Sequence, residues 1–487
     1  MLTEVSIEGF QGFGSKQTIR LAPITLIFGE NSSGKSAIFR ALMFLTQNLR
    51  AMTPDSMEFK SRQRSVDLVS FQNISFRHLS QDIKFQITMT RDSMSLGKFE
   101  PVYSAGHQPE LEGGIAAFSR ISIELVFSGL EKRITNVGFV GYRENEQLQF
   151  RLQVEPEIYR VTELTCSDDN ILNALRNIIE PLIYDSSTDL NIAIPDLSQK
   201  DLLLVIGKSD RHSRIRGEHY PSNLKPEEIG FNTFAILSII KSLLFNSIRN
   251  FERVLDGTRH IGPIREIPDR LVIGDVEDAP RRRPFGIWGS SRVELRRNDS
   301  KRSEISAWVE KLTAGQFSLE KITSPIADPA LAHLGEVSAW VLTDMRTDTR
   351  VSFKDVGVGL SQLLPVIVEV VDIAPMRRRM PSLLLVEQPE LHLHPKLQGD
   401  VLDMFIEGYS QDVNRQVLAE THSEQMILRL QRRIREGIIQ ANNVSVIFVE
   451  SDSVHGSKVQ ELQIDDDGVI DEWPTSFSDL RFKEILD

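Results

Sequence analysis

The chain has 487 residues, 40% hydrophobic and 25% charged, which fits a globular protein of two or three lobes and excludes a minidomain or a disordered chain. A net charge of −12 excludes indiscriminate binding of nucleic acid over the whole surface, and a single cysteine, Cys166, excludes an internal disulfide or a Cys-rich zinc site. The start MLTEVSIEGF lacks a basic segment followed by an apolar one, and the apolar stretch FAILSIIKSLLF is interrupted by Lys241, so a cytoplasmic protein with no membrane segment is expected.

In chain order, Ile24 to Phe28 form a short apolar run that predicts a buried strand, and Ile38, Ala41, Leu42 and Leu45 recur at helical spacing. Between them lies Gly29-Glu-Asn31-Ser32-Ser33-Gly34-Lys35-Ser36, matching G-x-x-x-x-G-K-[ST] in the strand, loop, helix order that this motif requires. Glycines let successive N–H groups turn inward around a polyphosphate, and the helix points its positive end there. Lys35 would reach the β- and γ-phosphates of a nucleoside triphosphate, and Ser36 carries the hydroxyl that binds its Mg²⁺.

Residues 84–165 read as strands broken by hairpins, with the alternation in LQFRLQV predicting a half-exposed antiparallel sheet. Helical patterns dominate from 168 to 255 without sustained heptads, which excludes a long coiled-coil arm. The interval 279–302 is basic, with Arg281 to Arg297 around Phe285 and Trp288; it reads either as a contact for nucleic acid or an acidic partner, or as a solvated loop.

The segment DVGVGLSQLLPVIVEVV, 355–371, places Gly357 and Gly359 before Ser361, read as an N-cap, with Pro365 near the start of the helix. It predicts a second anion-binding helix start, with a capped core helix as the alternative. One triphosphate needs only one such site per subunit, so Ser361 is expected to face a nucleotide held by another copy. Residues 382–390, SLLLVEQPE, form a buried-strand run that delivers Glu387 to the phosphate end of the sheet, where a carboxylate binds Mg²⁺ directly or through water. Then QVLAETHSEQMIL, 416–428, puts His422 just after a strand, in reach of a γ-phosphate or in a structural role.

Taken in order, GENSSGKS, VGVGLSQLLP, VEQPELHLHP and ETHSE resemble the ABC-type ATPase heads of RecF, of structural-maintenance-of-chromosomes (SMC) proteins and of overcoming-lysogenization-defect (OLD) proteins. Single-chain relatives grouped with the OLD heads also carry an IGPIRE-like segment, here Ile261 to Glu266, and a D-G-x-I-x-x-W-P stretch, here Asp467 to Pro474. The resemblance implies an α/β P-loop head with a mixed central sheet, an antiparallel β-subdomain and an inserted helical region. Lobe I would span 1–165, the helical insertion 166–320 and lobe II 321–487.

The same resemblance implies ATP and Mg²⁺ as cofactors, with ATP sandwiched between two subunits of a homodimer or larger homo-oligomer. It assigns Lys35 and Ser36 to Walker A, Gln72 to a Q-loop, Ser361 to the signature, Glu387 to Walker B and His422 to the switch histidine. HLHP, 392–395, becomes the turn along the dimer seam, with His392 and His394 as a metal pair the competing reading. Position 388 departs from the pattern: Gln388 stands where these heads usually have the glutamate that activates water. A glutamine can position water but cannot accept a proton, so slow hydrolysis is expected unless Gln388 suffices or Glu390 substitutes.

The remainder after His422 is too short for a Toprim nuclease, so a separate effector, a nuclease or toxin, is expected, with antiphage defence implied by the resemblance alone. The competing functions are an ATP-locked scaffold that does not hydrolyse and a RecF-like ATPase of DNA repair or DNA sensing. Arg265 reads as a phosphate or interface contact, or as a salt bridge at the edge of the core.

Overall fold

The computed structural model describes residues 1–49, 68, 70–90, 118–143, 146–155, 158–166, 202–205, 243–244, 247–248, 250–255, 257–265, 272–273, 299–330, 336–372, 382–470 and 472–474. The basic segment 281–297 and most of the helical stretch expected over 168–255 lie outside them.

Strands β1 (Leu2–Glu8), β2 (Gln17–Arg20) and β3 (Ile24–Gly29) lead into helix α1 (Lys35–Leu49). After the single turn α2 (Phe71–Ile74) come β4 (Ile83–Thr90), β5 (Arg120–Phe127), β6 (Ile134–Arg143), β7 (Glu146–Glu155), β8 (Ile158–Cys166) and β9 (Leu202–Val205). Next are β10 (Arg259–Ile261), β11 (Val272–Ile273), α3 (Asp299–Leu312), β12 (Phe317–Pro325), β13 (Glu336–Asp344) and β14 (Thr349–Ser352). The chain closes with α4 (Val358–Asp372), β15 (Ser382–Glu387), α5 (Pro395–Gln411), β16 (Arg415–Glu420), α6 (Glu424–Arg435), β17 (Val444–Asp452) and β18 (Gly456–Leu462).

The central sheet runs β10-β15-β16-β3-β17-β18, parallel up to β17 and closed by the antiparallel β18. Its strands are apolar on both faces because both faces are covered. In β3, Ile27 joins one core with α1 and the β-subdomain, while Ile24, Leu26 and Phe28 face a second core built with α3 to α6. Alternate residues of one six-residue strand thus hold the two halves together.

The antiparallel sheet, β2-β1-β4-β5-β6-β7-β8-β9, is wider than the expected subdomain because β1 and β2 belong to it. In β7 the predicted alternation holds: Leu148, Phe150, Leu152 and Val154 are buried while Arg151 and Gln153 are exposed. Phe44 of α1 meets Phe127 of β5 edge-on at 5.0 Å, which ties the loop-bearing helix to this sheet. A further sheet, β11-β13-β12 with β14 on β13, was not legible in the sequence.

Within the span expected to be a helical insertion, β9 extends the antiparallel sheet and β10 lies beside β15, so the chain re-enters the central sheet by Arg259. Helix α4 also begins earlier than its glycines suggest, at Val358. Ser361 therefore sits inside the helix and is not its N-cap, and Pro365 is interior, where it leaves the Ser361 carbonyl without its usual helical donor. No helix among the described residues is long and apolar enough to cross a membrane.

Candidate functional site

The loop after β3 is shaped by what packs behind it. Gly29 has φ 145° and Gly34 φ 106°, and a Cβ would meet Val449 O at 2.0 Å in the first case and Ser457 Oγ at 2.2 Å in the second. Only glycine accepts both the backbone angle and the close approach of β17 and β18. The loop then enters α1 with Lys35 as its first helical residue, so the helix N-terminus opens on a cleft of about 700 Å³.

Asn31, Ser32, Gly34, Lys35 and Ser36 line this cleft. Gly29 and Ser33 do not; Ser33 is buried, with no hydrogen-bond partner for its hydroxyl among the described residues. The Lys35 ammonium folds back to donate to Gly29 O at 3.1 Å and Glu30 O at 2.5 Å. Burial holds its pKa below the usual lysine value, against the pull of Glu420, Glu30 and Glu390.

The facing wall comes from the ends of β15 and β16: Gln388, Glu420 and His422. Gln388 has φ 46°, and its N–H donates to Glu420 O at 2.7 Å. Glu390 lies buried behind it, and one carboxylate oxygen accepts from His422 N–H at 2.7 Å. Burial raises the Glu390 pKa, and burial together with the Lys35 charge lowers that of His422.

Glu387 is not part of the cleft wall. It accepts from His260 Nε2 of β10 at 2.7 Å, with the His260 side chain only 7% exposed. The carboxylate in contact with the loop is instead Glu420, whose Oε2 accepts from Ser36 Oγ at 2.7 Å. Glu420 lies within ETHSE, where the sequence motifs assign a role to His422 alone. The available signal was that it ends a strand-like run with the same parity as Glu387, and the two are register partners across β15 and β16.

Gln72 lies on α2 outside the cleft wall, with its carbonyl facing His78 Nδ1 at 2.9 Å; its neighbours Asn73, Arg77 and His78 form the opposite rim together with Arg40. Ser361 is fully buried and donates to Phe353 O at 2.6 Å, away from its own chain's cleft. His392 and His394 are exposed, and His394 Nδ1 caps α5 by accepting from Lys396 N–H at 3.4 Å; among the described residues no group of three His, Cys, Asp or Glu is placed to hold a metal. Arg265 is neither a surface phosphate contact nor a core-edge ion pair. It is buried and donates to Gly262 O, Gln362 O, Glu387 O and Gln388 O.

These groups suit a nucleoside triphosphate with a divalent cation. A helix N-terminus and a lysine face the place where phosphate would lie, and a hydroxyl and a carboxylate sit beside them.

A family model described as an AAA ATPase domain (AAA_15) matches residues 1–427. No curated protein sequence matches the chain. Solved structures similar to it include the SMC head domain from Thermotoga maritima, 9% identical over 95% of this chain and 99% of that one, with a TM-score of 0.37. An Smc head domain with an extended coiled coil from Pyrococcus furiosus, bound to the C-terminal domain of ScpA, is 12% identical over 100% and 99%, with a TM-score of 0.38. An Smc head domain with a coiled coil and joint from Pyrococcus yayanosii is 13% identical over 100% and 99%, with a TM-score of 0.38.

Proposed function

The chain belongs to the AAA ATPase domain family, and from that premise we propose that it is an ABC-type ATPase head of the RecF/SMC-like class, two copies of which close around Mg-ATP and thereby control a separate effector protein. One observation carries this reading. The cleft of one chain gathers Lys35, Ser36, Gln388 and His422, while the segment around Ser361 lies outside it, which supports a half-site that a second copy would complete.

In this reading Lys35 leaves its own loop carbonyls for the phosphates, and Ser36 faces the cation. His422 lies near the γ-phosphate, and Gln388 orients the attacking water. Catalysis then rests on positioning and charge neutralisation, with no strong base at position 388. Control of a nuclease or toxin in antiphage defence extends the reading on the resemblance of the motifs alone. The second reading, an ATP-locked scaffold, is favoured by Gln388 itself, which cannot take a proton from water.

Single-turnover hydrolysis of Mg-ATP, with assembly mass recorded in parallel, separates them. Turnover that vanishes in Lys35→Ala supports the ATPase. A stable ATP-bound assembly that hydrolyses only as Gln388→Glu supports the scaffold. An unaltered chain that remains monomeric with ATP overturns both.

A further inference from the structure

We propose that Glu420, and not Glu387, is the protein carboxylate that holds the divalent cation of the bound nucleotide, together with the Ser36 hydroxyl. The assignment deepens the ATPase reading and rests on it.

The topology supplies the first argument. Strand β16 lies between β3, which leads into the phosphate loop, and β15, which carries Glu387. Glu420 and Glu387 are register partners on the same face of the sheet, and Glu420 is the one next to β3, opposite Ile27. A cation held against phosphates at the start of α1 therefore meets Glu420 one strand before it meets Glu387.

The second argument is the contact itself. Ser36 Oγ and Glu420 Oε2 are 2.7 Å apart in the wall of the cleft, and Glu420 is only 5% exposed. Two oxygens that bind one Mg²⁺ at right angles, each roughly 2.0–2.1 Å from it, are separated by about 2.9 Å. The hydroxyl and carboxylate are thus already spaced as neighbouring ligands. A Mg²⁺ that arrives with a nucleotide takes one or two protein groups of this kind and completes its shell with phosphate and water.

Third, Glu387 is engaged elsewhere. Its Oε1 accepts from His260 Nε2 at 2.7 Å, both side chains are largely buried, and the carboxylate does not reach the cleft wall. Turning it toward Ser36 would break this bond and leave His260 without its acceptor.

The test is ADP binding to the full-length chain, followed in EDTA and across a Mn²⁺ titration, with electron paramagnetic resonance reporting the bound ion. Glu420→Gln is expected to bind ADP in EDTA as the unaltered chain does, to require about tenfold or more Mn²⁺ for the metal-dependent gain, and to lose the protein-bound Mn²⁺ signal. Glu387→Gln is expected to shift the Mn²⁺ midpoint less. Glu420→Asp, which keeps the charge but sets it back, falls between and serves if the glutamine variant does not fold. An unshifted midpoint in the Glu420 variants, or a larger shift in Glu387→Gln, overturns the assignment and leaves the ATPase reading standing. An unaltered chain that binds no ADP under either condition overturns both.

Discussion

Arg265 and Gln362 hold each other by backbone and side chain at once: Arg265 N–H donates to Gln362 Oε1 at 3.0 Å, and Gln362 Nε2 donates to Arg265 O at 2.8 Å. The Arg265 guanidinium continues to Glu387 O at 2.6 Å and Gln388 O at 3.0 Å, so one side chain joins the helix that carries Ser361 to the end of the strand that carries Gln388. Burial lowers its pKa to about 10, which still leaves it charged at neutral pH. Arg265→Ala leaves several buried carbonyls unpaired and is expected to cost about 3 kcal/mol of stability, while a double-mutant cycle with Gln362→Ala should give a coupling of about 1–3 kcal/mol. Denaturant melts of the four proteins measure both quantities, and additive costs would mean that the pair does not act as one unit.

The second prediction concerns Ser457, which lies beyond the part of the chain that the family model matches. Its hydroxyl sits where a Cβ on Gly12 or Gly34 would fall, at 2.5 and 2.2 Å, so β18 forms the back wall of the phosphate loop. Ser457→Val adds bulk where the loop cannot retreat and is expected to cost about 1–3 kcal/mol through overpacking. Calorimetry should show weaker nucleotide binding even though the residue is buried and does not line the cleft.

The phosphate loop was legible because its signal is local: an apolar strand, a glycine pattern and a helical period within a short stretch. Ser361 was misread because Gly357 and Gly359 looked like breakers. Gly359 is in fact helical, in a position where a Cβ would meet His392 O at 2.6 Å, a constraint that comes from a distant loop. In the sequence Glu387 and Glu420 both end apolar runs; the strand order and the partner of each carboxylate separate them. The β12 and β13 pair escaped notice because no residue of its first strand is fully buried, so the strand carries little hydrophobic period.

A third prediction follows from Glu390, whose pKa burial raises above the usual glutamate value of 4.5 and which lies in the field of Lys35, Arg265 and Glu420. An acid with a raised folded pKa binds more protons in the native state than in the unfolded one, so its contribution is most favourable below 4.5 and is lost as pH rises through the folded pKa. Glu390→Gln removes this loss and can still accept from His422 N–H. Its Tm relative to the unaltered chain should therefore rise as the pH is raised above the ordinary glutamate value of 4.5. A difference that stays flat with pH would show that Glu390 binds its proton no more tightly in the folded chain than in the unfolded one.

Ser361 gives the last prediction. Its hydroxyl donates to Phe353 O at 2.6 Å in the single chain, so to reach a nucleotide held by a second copy it must give up that bond. Ser361→Ala removes one buried hydrogen bond and is expected to cost about 1 kcal/mol of stability. That cost alone leaves nearly all chains folded, because a domain of ordinary stability has a reserve of roughly 5–15 kcal/mol. If the hydroxyl also meets the partner's nucleotide, Ser361→Ala should bind ATP as the unaltered chain does while ATP-dependent association falls by about tenfold or more, the loss expected for a hydrogen bond to a charged group. Mass measurements at matched protein concentration, with and without ATP, read this directly. Association that survives at full strength in a folded, ATP-binding variant would confine Ser361 to its bond with Phe353.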